Sequence, residues 1–350
     1  MIRVVVAEDS LTVRELLVEI LDSDPEITVV GQAKNGAEAV ELAARLKPDL
    51  ITMDVHMPIM DGYEATKEIM VQAPIPIIIV SSSANSEGMG LSFNALRAGA
   101  LLVVPKPDNP HSALFDGQRA EFLTMAKAMS QVKVVRRWAS RTPAVVVPPV
   151  VPSRRSPGSR VRVVAIAAST GGPAALQRIL SGLPGDFSLP ILVVQHIATG
   201  FVEGLATWLG SSCNLRVKVA ESGEPLRGRT VLIAPDDRHL EVSREARVAL
   251  TDAPPVGGFR PSGTHLFDSV AQVYGASAAA VIATGMGSDG VEGLRAIRKM
   301  GGYVLAQDEA TSVVYGMPRE AVAAGVVDSV LPIDAIAGRL MGLANGNGDA

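Results

Sequence analysis

The chain is nearly without cysteine: Cys213 stands alone among 350 residues. A single thiol excludes an intramolecular disulfide and any multi-cysteine zinc site, and it suits a reducing cytoplasm with Cys213 as a small buried apolar residue. A basic surplus is absent too. The formal net charge is −4 and the isoelectric point is about 5.8, whereas nucleic acids and anionic membranes are bound through a concentrated basic footprint. Neither is expected as a partner, and a transcription-regulating output, which needs a basic recognition helix, is disfavoured. No apolar run approaches the roughly 20 residues of a membrane-spanning helix. The opening segment Met1-Ile2-Arg3-Val4-Val5-Val6-Ala7 meets acidic residues within a few positions, too soon for an export signal. A soluble, cytoplasmic protein with no membrane insertion is expected.

Apolar residues are plentiful, at 47% of the chain, enough for two domains with separate cores. From Arg3 to about Trp138, short apolar runs alternate with amphipathic stretches. The runs are Val4 to Val6, Ile27 to Val30, Asp49 to Met53, Ile77 to Val80 and Leu101 to Val104. The stretches are Thr12 to Ser23, Ala37 to Leu46, Glu64 to Gln72, Leu91 to Ala98 and Phe115 to Val132. Strands separated by helices predict a doubly wound, five-stranded parallel sheet. In such sheets, sites collect at the carboxyl ends of the strands. Glu8 and Asp9 follow the first strand, Asp54 ends the third, Ser81 ends the fourth and Lys106 follows the fifth. Each alone reads as a solvated surface group; together, at matching strand ends, they converge on one edge. Clustered carboxylates suit a hard divalent cation such as Mg2+, with Asp54 as nucleophile. Lys106 offers a point charge to a phosphoryl group and Ser81 a movable hydrogen-bond donor.

The segment Asp54-Val55-His56-Met57-Pro58-Ile59-Met60-Asp61-Gly62, with Glu8-Asp9 before it and Lys106-Pro107 after it, closely resembles a response-regulator receiver domain, a flavodoxin-like fold. The resemblance implies phosphorylation at Asp54, a Mg2+ site of Glu8, Asp9, Asp54 and the Val55 carbonyl, and phosphoryl sensing by Ser81 and Lys106. One position departs. The family often places an aromatic three residues before the lysine as part of its switch, and here that residue is Val103.

Between residues 139 and 160 lie Pro143, Pro148, Pro149, Pro152 and Pro157 among serines, valines and arginines. That composition favours an extended, semi-rigid connector. The expected division is therefore 1–138, a linker at 139–160, and a second domain at 161–345.

From Val161 the alternation resumes. Strands are expected at Val161 to Ala168, Leu189 to Val194, Arg216 to Val219, Thr230 to Ala234, Leu240 to Ser243, Val248 to Thr251, Ala279 to Ala283 and Tyr303 to Ala306. Helices are expected after Pro173, after Phe201, near His265 and after Gly290. This predicts a second α/β sheet with an antiparallel hairpin inserted around Leu240 to Leu250. Ser169, His196 and the loop Thr284-Gly285-Met286-Gly287-Ser288-Asp289-Gly290 all follow strands. A serine nucleophile needs a base, and the base needs an orienting carboxylate. Ser169 would begin a helix whose N–H groups favour negative charge, and Gly171-Gly172 would let backbone approach a substrate. By spacing alone, Ser169 reads equally as a helix cap, His196 as a satisfied strand-end residue and Asp289 as a turn stabiliser. The nucleophile elbow of α/β-hydrolases is missing, because Ala167 stands where its first glycine would be. The Gly-x-Gly-x-x-Gly fingerprint and the P-loop lysine are absent as well, which weakens a nucleotide-binding role.

Several long stretches bear on the choice. Ala168-Ser169-Thr170-Gly171-Gly172-Pro173, Gln195-His196, Ala234-Pro235 with His239-Leu240, Arg260-Pro261-Ser262, Thr284 to Gly290 and Gln307 to Pro318 resemble the chemotaxis protein-glutamate methylesterases, the CheB family. The resemblance implies an α/β, Rossmann-like catalytic domain with Ser169 as nucleophile, His196 as base and Asp289 as its orienting acid. N–H groups near Thr170 and Met286 would hold the oxyanion, and ester hydrolysis would need no cofactor. The implied reaction is hydrolysis of glutamate γ-methyl esters on the cytoplasmic helices of methyl-accepting chemoreceptors, with deamidation of receptor glutamines. The implied regulator is a CheA-like histidine kinase that phosphorylates Asp54 and relieves occlusion of the catalytic edge by the receiver. A receptor- or kinase-binding adaptor with little turnover is the alternative. Ile197-Ala198 replaces the family's usual Met-Pro, and Gly263-Thr264-His265 stands where Val-Asp is usual. Altered target choice is the expected effect.

Overall fold

The computed structural model describes residues 1–81, 86–132, 134 and 160–346. Its contacts divide the chain into two compact units, Met1–Pro143 and Ala144–Ala350. The linker predicted at 139–160 lies, but for Arg160, outside the described residues.

The first unit is a parallel sheet of β1 (Ile2–Ala7), β2 (Ile27–Ala33), β3 (Leu50–Met53), β4 (Ile77–Ser81) and β5 (Leu102–Pro105), ordered β2-β1-β3-β4-β5. Helices α1 (Leu11–Asp22), α2 (Gly36–Leu46), α3 (Gly62–Gln72), α4 (Ser86–Ala98) and α5 (Phe115–Ser130) alternate with them. Val4, Val5, Val6 and Ile77 to Val80 are fully buried. Both faces of the sheet are covered, which is why these strands read as unbroken apolar runs. Asn35 and Asp61 cap α2 and α3 by accepting from the Glu38 and Glu64 amides. Helix α4 starts five residues earlier than the expected Leu91, because Gly88 and Gly90 weaken its helical pattern without stopping it.

The second unit holds seven parallel strands, β6 (Val163–Ala168), β7 (Ile191–Gln195), β8 (Arg216–Val219), β9 (Thr230–Ile233), β12 (Ala278–Ile282), β13 (Tyr303–Gln307) and β14 (Ser329–Leu331). Between them β10 (His239–Val242) and β11 (Val248–Thr251) form the expected antiparallel hairpin as a separate two-stranded sheet. The helices are α6 (Gly172–Ser181), α7 (Val202–Ser212), α8 (Gly263–Tyr274), α9 (Val291–Lys299), α10 (Met317–Ala323) and α11 (Ile333–Ala344). Strand β14 and helices α10 and α11 were not expected; β14 has only three residues, too few for an alternation to show. Leu240, Val242 and Val248 of the hairpin share one core with Leu266 and Val270 of α8. The hairpin thereby covers the face of the helix that carries part of the site.

Sheet order is β14-β13-β12-β6-β7-β9-β8. The chain runs outward from β6 through β7 and later returns on the other side at β12, so the strand order reverses around β6. Ligand crevices form outside the carboxyl ends of strands at such a reversal. Ser169, His196 and the Thr284 to Gly290 loop follow the three central strands there.

Candidate active site

In the first unit, the predicted carboxylates meet. Glu8, Asp9 and Asp54 place ligand oxygens all within 4.8 Å of one another, with Glu8 and Asp54 buried and Asp9 exposed. Lys106 Nζ lies 2.8 Å from Glu8 Oε2 and 2.9 Å from Asp54 Oδ2. Asp54 Oδ1 accepts from the Val55 amide at 2.7 Å. Gly62 donates to the Val55 carbonyl at 2.9 Å, and a side chain at Gly62 would run into the Asp54 carbonyl. This close approach is why glycine follows Asp61 in the loop. Burial pushes the Glu8 carboxyl up, the Asp54 charge adds to this, and Lys106 opposes it. Burial would lower the Lys106 ammonium, but its bonds to Glu8 and Asp54 outweigh that and leave it raised. Three hard oxygen donors that close together fit Mg2+, which tolerates one or two carboxylates plus waters. Ser81 ends β4, buried, and accepts from Ser92 Oγ at 3.0 Å. Its carbonyl receives the Lys106 amide at 3.0 Å, so the β4–β5 ladder sets these two residues side by side. Val103 is half-buried on β5, paired with Ile79.

In the second unit, the ladders run one step past the strands. Ala168 pairs with Gln195 in register. The His196 amide then donates to the Ala168 carbonyl at 2.9 Å and the Ser169 amide to the Thr284 carbonyl at 3.0 Å. Main-chain hydrogen bonds thus bring Ser169, His196 and the Asp289 loop to one sheet edge. His196 Nε2 meets Asp289 Oδ2 at 2.9 Å. An ionised carboxylate only accepts, so Nε2 carries the proton and the lone pair of the neutral ring is on Nδ1. That Nδ1 atom is buried and makes no hydrogen bond. It is the nitrogen able to take a proton.

Asp289 is held at the start of α8. It accepts from Ser262 Oγ at 2.7 Å, from the Gly263 amide at 2.6 Å and from the Thr264 amide at 3.1 Å. Unsatisfied N–H groups and the positive end of a helix favour an anion at this place. Burial opposes ionisation of Asp289, yet the bonds from His196, Ser262 and Gly263 prevail and hold its pKa at about 2. Ser262 also caps α8 by accepting from the His265 amide.

The Ser169 turn differs from its expectation in two respects. Helix α6 begins at Gly172 with Gly171 as its cap, so Ser169 precedes the helix and does not cap it. Ser169 O instead accepts from the Gly172 amide, closing a tight turn. The glycine pair serves packing inside the protein: Gly171 sits at φ +77° against Val313, and a side chain at Gly172 would strike Gln195. Thr170 adjoins Ser169, and its carbonyl accepts from Thr284 Oγ1 at 2.9 Å. Met286 is partly exposed and follows Gly285, where an added Cβ would come within 2.7 Å of Ser169 Cβ. Both residues expected at the oxyanion position therefore flank Ser169.

Gln195 is a supporting residue the sequence reading passed over. Its Nε2 donates to the carbonyls of Ser169 and His196, each at 2.8 Å, and ties the two turns together. The signal was present: a polar side chain ending a buried apolar strand directly before the histidine. Of the departing residues, Gly263 has a packing reason, since a Cβ there would lie 2.7 Å from the Ala167 methyl. Only one of these two positions can carry a side chain, so the glycine at 263 accommodates the alanine at 167. Thr264 Oγ1 accepts from the Gly290 amide at 2.8 Å, steadying the Asp289 loop. His265 pairs with Glu241 at 2.7 Å and stacks on His239 with ring centroids 4.3 Å apart, a structural role. His239 is buried, its pKa lowered by burial, and its Nδ1 accepts from the Ser262 amide at 3.3 Å. Cys213 is half-buried, with burial pushing its thiol up.

A receiver-type carboxylate cluster on one parallel sheet and a serine, histidine and aspartate at the edge of another define a response regulator with an enzymatic output. The family model for the CheB methylesterase matches residues 164–340, and that for the response regulator receiver domain matches residues 4–114. The chain belongs to the CheB methylesterase family. It is 53% identical to protein-glutamate methylesterase/protein-glutamine glutaminase 4 of Myxococcus xanthus, over 99% of this chain and 98% of that one. It is 54% identical to the corresponding protein 3 of Anaeromyxobacter dehalogenans, over 97% of this chain and 98% of that one. The crystal structure of the Thermotoga maritima CheB methylesterase catalytic domain is 40% identical, with a TM-score of 0.51, covering 52% of this chain and 98% of that one.

Proposed function

We propose that the protein hydrolyses glutamate γ-methyl esters on the cytoplasmic helices of chemoreceptors, and deamidates receptor glutamines, under control of phosphorylation at Asp54. The observation that carries the reading is the His196–Asp289 pair at 2.9 Å, which leaves the Nδ1 lone pair without a partner, in a residue that Gln195 ties to Ser169 through their carbonyls. His196 Nδ1 takes the Ser169 hydroxyl proton while Oγ adds to the γ-carbonyl carbon. Asp289, held ionised, stabilises the imidazolium formed. Amides near Thr170 and Met286 receive the oxyanion. Collapse breaks the bond to the methoxy oxygen, which leaves as methanol with the proton from Nδ1, and Ser169 is left esterified to the glutamate. Water then adds, giving one proton to Nδ1, and the serine leaves with that proton, releasing a glutamic acid side chain that ionises to the carboxylate by losing its proton to solvent. For glutamine the first leaving group is ammonia. Beside Met286 the surface opens into a shallow depression lined also by Ser288, Tyr315 and Arg319, and the reading assigns it to the substrate chain.

In the receiver unit, Asp54 is the phosphoryl acceptor, and Glu8, Asp9, Asp54 and the Val55 carbonyl are the residues that would hold Mg2+. When bound, that ion would neutralise incoming phosphoryl oxygens. Lys106, now paired with Asp54, would swing its ammonium to an ion pair with the phosphoryl group, and the Ser81 hydroxyl would follow as a hydrogen-bond donor. The phosphodonor in the cell would be a CheA-like histidine kinase, and both partners place the protein in the cytoplasm. Among the described residues no helix is long and apolar enough to cross a membrane.

Methanol release from methylated receptor, measured with and without a small phosphodonor, tests the reading. Release should rise with the phosphodonor and vanish in Ser169→Ala. A protein that is phosphorylated at Asp54 yet releases no methanol from any receptor would instead be a binding adaptor.

A further inference from the structure

We infer that Phe259 is a positioning residue for His196, holding the plane of the imidazole while Nε2 bonds Asp289. The two rings are stacked, with centroids 4.2 Å apart and planes 3° from parallel. The inference rests on the reading of His196 as the base.

One hydrogen bond, Nε2 to Asp289, fixes one corner of the imidazole. Nδ1 makes no bond of its own, so with the side chain 10% exposed the orientation of the ring rests on what packs against it. A parallel ring against the imidazole face holds that orientation, because rotating the imidazole would break the whole stacked contact. When His196 takes up a proton, the cation also lies over the face of an aromatic ring, an attractive arrangement.

Phe259 is itself held from both sides. Val256 and Phe259 exchange amide-to-carbonyl hydrogen bonds of 3.0 Å across Gly257 and Gly258. Those glycines have φ of +60° and +88°, the left-handed pair that a two-residue turn of this type requires. The next residue, Arg260, pairs with Asp237 at 2.7 Å and donates to the Asp252 carbonyl at 3.1 Å and the Ala253 carbonyl at 3.3 Å. A phenylalanine that stays 37% exposed contributes little as core. Its place on an anchored turn over the base is what it offers.

The test compares Phe259→Leu and Phe259→Tyr with wild type and His196→Ala in the full-length protein, using methanol release from methylated receptor. Phe259→Leu should lower kcat about tenfold, within the range known for small misplacements of a reacting group, with KM little changed. Phe259→Tyr, which restores the ring, should recover most of kcat. The His196 ring-proton resonances should move downfield in Phe259→Leu as the ring current is lost, a readout independent of turnover. Wild-type kcat in Phe259→Leu, an effect confined to KM, a tyrosine variant as slow as leucine, or unmoved His196 resonances would each overturn the inference. If His196→Ala retained wild-type turnover, the reading of the base would fail and take the inference with it. An inactive His196→Ala beside a fully active Phe259→Leu would sink the inference alone.

Discussion

Asp289 is a buried carboxylate with donors on four sides: the His196 ring, the Ser262 hydroxyl and the amides of Gly263 and Thr264. Its pKa is about 2 in the folded protein against an ordinary value of 3.8. A carboxyl whose folded pKa is depressed contributes stability that is complete above its unfolded value and is lost as pH falls through its folded value. The window is therefore from about pH 4 down to about pH 2, and the contribution at stake is about 2 kcal/mol. Urea unfolding of wild type and Asp289→Asn between pH 5 and 2 checks this. The wild-type catalytic unit should lose about 2 kcal/mol more than the variant across that range; parallel losses would exclude the effect. The aspartate and its histidine partner were legible in the sequence because the motif around each is local. Gln195 was legible only as a polar residue before the histidine and Phe259 not at all, since what makes them matter is which backbone and which ring they reach.

At the scale of elements, the catalytic edge depends on how closely loops approach one another. Gly285 packs its Cα against the Ser169 turn, and a methyl group there would lie 2.7 Å from Ser169 Cβ and press on Met317. Gly285→Ala should displace Ser169 and lower kcat about a hundredfold, with an overpacking cost of about 1–3 kcal/mol. Turnover and thermal melting measure the two, while phosphorylation of Asp54 in the same variant should be unchanged. A Gly285→Ala protein with wild-type kcat would mean that the loop yields and Ser169 does not. Strand periodicity showed the elements that make this edge, from β6 to β13. The hairpin β10–β11 was visible as well, but its function was not, because covering α8 is a matter of packing between segments separated along the chain, such as Leu240 and Leu266.

At the scale of the molecule, two units of independent chemistry share one chain, and their coupling is what the proposed function adds. A catalytic unit severed in the 139–160 segment should hydrolyse receptor esters faster than the intact unphosphorylated chain and should ignore a phosphodonor. An intact Asp54→Asn chain should keep its basal rate and likewise fail to respond. Methanol release measures both, and a severed unit no faster than the intact unphosphorylated chain would exclude restraint by the receiver.

By itself the sequence determined the two-unit α/β plan, the strand ends where chemistry collects and the identity of the candidate groups. Those features follow from local periodicity and from residues in short runs such as Ala168 to Pro173. Only the tertiary structure decided which imidazole nitrogen faces Asp289, what holds that carboxylate ionised, why glycine stands at 263 beside Ala167, and which ring lies over His196. Each of these is a contact between segments distant along the chain, and its sign and distance exist only once the sheet has brought them together.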